Sequence, residues 1–138
     1  MIQRLRAFWR DCKAELDEAA FALPVILLVS IGLVNLTLFG SAAVNAANAA
    51  NYGARMGSMA QSNPLGYAVN HAQQKLYALP VGEYSISTGG NTVPGGVMWV
   101  QIEYRVPNYF RGLASMFGVS LPSQLSGRVT QYFRREGW

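Results

Sequence analysis

From Glu18 to Arg55 the chain runs thirty-six residues without a Lys, Arg, Asp or Glu, and the first half of that stretch is almost wholly apolar. Residues 21–39 read Phe-Ala-Leu-Pro-Val-Ile-Leu-Leu-Val-Ser-Ile-Gly-Leu-Val-Asn-Leu-Thr-Leu-Phe. Nineteen residues at helical rise cover roughly 28 Å, against a bilayer hydrocarbon core of roughly 30 Å. The run predicts a transmembrane helix, because a soluble core helix rarely needs so long an apolar stretch. A cleaved signal peptide is the rival, with a small-x-small site at Ala47-Asn48-Ala49. The apolar run exceeds the usual signal core, however, and Asp11, Glu15, Asp17 and Glu18 precede it.

Upstream, Ile2, Leu5, Phe8 and Trp9 recur at helical spacing among Arg4, Arg6 and Arg10. Residues 1–18 are therefore expected either to lie at the membrane interface or to continue the main helix into the cytoplasm. Pro24 leaves the Ala20 carbonyl without its partner and predicts a mild bend. Downstream the pattern changes to alanine and asparagine. Ala42, Ala46, Ala50 and Ala54 are spaced by four, as are Ala49, Gly53 and Gly57, with Asn45, Asn48 and Asn51 beside them. Small residues at that spacing let helix backbones approach closely. The stripe either packs on the chain's own domain or meets another molecule.

Asn63-Pro64 breaks the helix, and Leu65, Ala68, Val69, Ala72, Leu76 and Leu79 predict a second, shorter one ending at Pro80. The period then falls to two. Tyr84, Ile86 and Thr88 form one strand, a turn runs from Gly89 to Gly96, and Val97–Val106 forms the strongest strand, stopped by Pro107. Asn108–Gly118 reads as an apolar loop or short helix, and Leu125–Arg135 as a third strand. The expected fold is α+β: a cytoplasmic segment over 1–18, a transmembrane helix and stalk over 19–62, and a small exported domain over 63–138.

Composition narrows the function. A net charge of +4, with no basic run beyond Arg134-Arg135, gives little support for nucleic-acid binding. The positive-inside rule puts the N-terminal side, with Arg4, Arg6, Arg10 and Lys13, in the cytoplasm and the C-terminal domain outside. Cys12 is the single cysteine, so no internal disulfide forms. His71 is the single histidine, and Glu83, Glu103 and Glu136 are the only acids after the span. No catalytic constellation, cofactor motif or metal site follows from these. Trp99, Tyr104, Tyr132 and Phe133 are expected in core or interface. Glu18 borders the apolar run and either sits solvated among headgroups or pairs with a neighbouring chain's cation.

Glu18-Ala-Ala-Phe-Ala-Leu-Pro24, the aliphatic run after it, and Tyr52-Gly53-Ala54-Arg55 resemble the TadE-like proteins of tight-adherence pilus systems. Leu125-Ser-Gly-Arg-Val near the end is also similar, so the resemblance covers roughly residues 14–135 and is most specific at the start. It implies a minor pilin or pseudopilin: an inner-membrane helix, an exported domain, and a place in or beside a pilus-like fibre with other pilins as partners. The family's processing site has glycine where Lys13 stands, with Ala14 as the first mature residue. That departure favours an uncut chain. The competing expectation, from another class, is a membrane-tethered binding module that never enters a fibre.

Overall fold

In a computed structural model the chain is described over residues 2–77 and 81–136, with side chains described from Ala19 onward except Phe21. Helix α1 runs from Ile2 to Ser58, 57 residues with Pro24 inside it. At helical rise it is about 85 Å long. Residues 2–18 continue the same helix as the span. α1 crosses Pro24 without a break because only one internal hydrogen bond is lost there.

α2 spans Pro64–Tyr77. Asn63 starts it, with its Oδ1 accepting from the Gly66 N–H at 3.2 Å, which meets one of the free donors of the first turn. Pro64 at the first helical position has no N–H to leave unpaired. The expected ending at Leu79 and Pro80 lies outside the described residues.

β1 (Glu83–Gly90), β2 (Val97–Pro107) and β3 (Gln124–Arg134) form one antiparallel sheet in the order β1-β2-β3, and a short helix, α3 (Phe110–Met116), bridges β2 and β3. The α+β architecture is the one the pattern predicts. Two limits move. β1 extends through Gly89 and Gly90, which pair with Trp99 and Met98. Gly90 holds φ +116, a conformation open to glycine, and the Trp99 ring occupies the space above Gly89. Pro107 stays in the ladder opposite Gln124, since a proline is tolerated at a strand's last position.

Strand alternation fixes which face is buried. Met98, Val100, Ile102, Tyr104 and Val106 of β2 point inward and are buried, joined by Phe133 from β3. Against them lie Ala42, Ala46, Ala49, Ala50 and Ala54 of α1 and Ala68, Ala72 and Leu76 of α2. The core is thus two helices meeting through alanine, roofed by large residues from one sheet. The upper part of α1, from Ala42 to Ala54, packs into this same core with α2 and the sheet.

Candidate functional site

The small-residue stripe is the first sequence candidate to place. Ala42, Ala46, Ala49, Ala50, Gly53, Ala54 and Gly57 are all buried inside the chain. A Cβ on Gly53 would lie 2.6 Å from the Ala68 carbonyl oxygen and 2.8 Å from the Ala72 Cβ. On Gly57 it would lie 2.8 Å from the Ala68 Cβ and 3.0 Å from the Phe133 ring. The close helix approach that the spacing implies is therefore between α1 and α2 of one chain. Of the two alternatives the spacing left open, the stripe takes the first and packs on the chain's own domain, and surface covered in this way is not free to meet a neighbour. It also bears on cleavage near Ala47-Asn48-Ala49, which would remove Ala42 and Ala46 from the core.

Below the stripe the helix changes character. Leu23, Val25, Ile26, Leu27, Val29, Leu33, Val34 and Leu36 are exposed, as is Pro24. In the most apolar window of this helix only 6% is buried, where the core helix of a soluble protein would be mostly buried. One long apolar helix near the N-terminus can thus serve as a single-pass membrane segment. Lys13, Ala14 and Glu18 lie on the N-terminal turns of α1, and their side chains lie outside those described.

Asn35 is the exception within the run, buried where its neighbours are bare. Its Nδ2 donates to Asn108 Oδ1 at 2.9 Å, and its Oδ1 accepts from the Tyr109 N–H at 3.1 Å. Asn108 in turn donates from Nδ2 to the Pro122 carbonyl and accepts at Oδ1 from the Phe110 N–H. Asn35 thus fixes the start of the β2–β3 connection, and Asn108 ties that start to its far end at Pro122. Thr37, two residues on, is satisfied within its own helix by the Leu33 carbonyl. Sequence reasoning passed over Asn35; its signal was a lone carboxamide in an apolar run, a group that must find partners when buried. A Cβ on Gly32 would lie 3.9 Å from the Phe110 ring, so α3 rests against the helix a turn below Asn35. Higher up, the Phe39 and Tyr104 rings pack at a tilt of 53° with centroids 5.3 Å apart.

Two further surfaces carry polar groups. Asn45, Asn48, Asn51, Tyr52, Arg55 and Lys75 line an open groove of about 420 Å³ between α1 and α2. The Lys75 ammonium lies 4.9 Å from the Tyr52 ring centroid, and His71 packs between Tyr67 and Tyr52. His71 is thus a packed side chain, its Nδ1 at 3.0 Å from the Tyr67 carbonyl oxygen. The outer sheet face pairs Glu103 with Arg128 at 2.7 Å, an exposed pair worth about 0–1 kcal/mol. Of the four aromatic candidates, Tyr104 and Phe133 enter the core, Trp99 is half-buried on the outer face, and Tyr132 is exposed there. Among the described residues no three His, Cys, Asp or Glu side chains converge. Compared with family models, with curated proteins and with solved structures, the chain gives no match.

Proposed function

We propose that this protein is a TadE-like minor pilin or pseudopilin, a non-enzymatic, membrane-anchored component in the assembly of a tight-adherence type pilus or related secretion fibre. One observation carries the reading. A single helix is bare and apolar over its lower part and, from about Ala42 upward, is covered on one face by its own sheet and second helix. Such a shape suits a subunit that is stored in a bilayer through the bare part and then stacks that part against like helices. The buried stripe moves the proposed lateral contacts from the alanine-rich half to the span itself. In this reading the inner membrane of a bacterium holds the helix, the N-terminal side faces the cytoplasm, and the sheet lies outside.

The polar groove beside Tyr52, Arg55 and Lys75 favours a second reading, a tethered module that binds an envelope partner and stays out of any fibre. Probing purified surface fibres for this chain separates the two. Its presence in fibres supports the pilin reading; absence from fibres with a stable complex of other envelope proteins supports the tethered module. N-terminal sequencing of the membrane-extracted chain adds the processing state. A start at Ala14 means prepilin-type cutting after Lys13, and a start at Met1 means a retained anchor.

A further inference from the structure

We propose that the β2–β3 connection, Tyr109–Val119, is a second membrane contact: an apolar foot that lies in the lipid leaflet on the sheet's side, locked at that depth by Asn35. The inference rests on reading α1 as a membrane span, and goes beyond it by putting part of the folded domain into lipid.

Depth comes from counting along the helix. A hydrocarbon core of roughly 30 Å takes about 20 helical residues. Glu18 limits how far the apolar run can slide toward the cytoplasm, because a carboxylate is costly in lipid. Counted from Ala19, the far edge of the core therefore falls near Leu38. Any tilt of the helix carries the edge further along the chain. Asn35 then sits about 4 Å below that edge and Gly32 about 9 Å below it. The foot touches α1 at those two positions, through the Asn35 hydrogen bonds and through Phe110 against Gly32.

What the foot exposes fits that depth. Tyr109, Met116, Phe117 and Val119 are exposed, Met116 at 80% and Phe117 at 70%. Between Val106 and Gly127 the only charged residue is Arg111. Those apolar side chains sit on a connection that touches the span at Gly32 and Asn35, beside the bare part of the helix that faces lipid in this reading. Tyrosine suits the boundary between hydrocarbon and headgroups, and an arginine can reach outward to phosphate while its stem stays in apolar surroundings. At the opposite end of the sheet the loop around Asn91–Gly95 exposes one large apolar side chain, Val93, and its Thr92 and Gly95 carbonyls accept from Arg135 and Arg134. One end of the sheet is built for lipid and the other for water.

The polar clamp explains why the foot stays. A carboxamide in the hydrocarbon region must be paired, and among the described residues the partners of Asn35 are Asn108, just before the foot, and Tyr109 at its start. Lifting the foot out would strand Asn35 in lipid. The domain is thus held to the bilayer at two points, which sets the tilt of the helix and the side of the domain that lies against the membrane.

The test uses the full chain with Cys12→Ser, reconstituted in vesicles of neutral and anionic phospholipid. Single spin labels are placed at Leu28→Cys, Met116→Cys and Gly95→Cys, and their collisions with oxygen and with a water-soluble nickel chelate are compared. The expected result is an oxygen-to-nickel ratio at Met116 several-fold above that at Gly95 and close to that at Leu28. Adding Asn35→Ala should shift the Met116 ratio toward the Gly95 value. A Met116 label as open to nickel as Gly95, with Leu28 still in lipid, overturns the foot and leaves the anchor standing. A Met116 label shielded from both reagents also overturns it, because a protein neighbour then covers the face. A Leu28 label open to nickel removes the span, and the foot with it.

Discussion

At the scale of single residues, the same substitution has opposite signs at two glycines of one helix. At Gly53 a methyl group would meet the Ala68 carbonyl oxygen at 2.6 Å, and backbone in a packed helix has little room to yield. Overpacking costs roughly 1–3 kcal/mol, and alanine returns up to about 1 kcal/mol in helix propensity. Gly53→Ala should therefore lower stability by about 1–2 kcal/mol net. At Gly40 nothing lies within 4 Å of the added methyl. Gly40→Ala should leave stability unchanged or raise it by up to about 1 kcal/mol. Thermal unfolding of the detergent-solubilised chain, followed by circular dichroism, reads both. Equal effects at the two positions would contradict the close α1–α2 approach. The glycine–alanine spacing announced tight packing in the sequence, but spacing alone does not name the partner. The partner became visible only with Ala68 and Ala72 in place.

At the scale of elements, the break between α1 and α2 depends on one side chain doing two tasks. Asn63 adopts φ +46, a region that disfavours most side chains, and caps Gly66. Asn63→Ala loses the cap, about 1 kcal/mol, and adds roughly 1–2 kcal/mol of left-handed strain. Asn63→Gly keeps the backbone freedom and should cost only a few tenths of a kcal/mol. A glycine variant as unstable as the alanine variant, by the same unfolding measurement, would show that the turn geometry is not what limits this junction. Asn63-Pro64 was legible as a break because both residues carry their conformational preferences with them. The strand limits were less legible: Gly89-Gly90 reads as turn, yet pairs across from Trp99 and Met98. A cross-strand aromatic ring fills the space that glycine leaves, and no local pattern encodes that neighbour. On the inner face Tyr104 does the same over Gly127.

At the scale of the whole molecule, the proposed assembly role makes the span the surface that meets other subunits. Glu18 stands at its start in the sequence, and in that role its carboxylate pairs with a cation of a neighbouring chain. Glu18→Gln and Glu18→Ala should then weaken self-association, read by cross-linking in membranes, while both variants stay membrane-inserted after carbonate washing. Unchanged cross-linking in both would remove Glu18 from the assembly. Loss of insertion would instead make it a determinant of anchoring.

The long charge-free run, the change of period from 3.6 to 2, and the proline and glycine breaks are local properties. They determined one bare apolar helix, a second helix and three strands before any contact was known. Which surfaces face each other is not local. The tertiary structure decided that the alanine stripe is spent inside the chain and that Asn35 ties the span to the β2–β3 connection across seventy-three residues of sequence. The physical reason is that burial and hydrogen-bond pairing are satisfied between elements, whereas helix and strand preferences are satisfied within them.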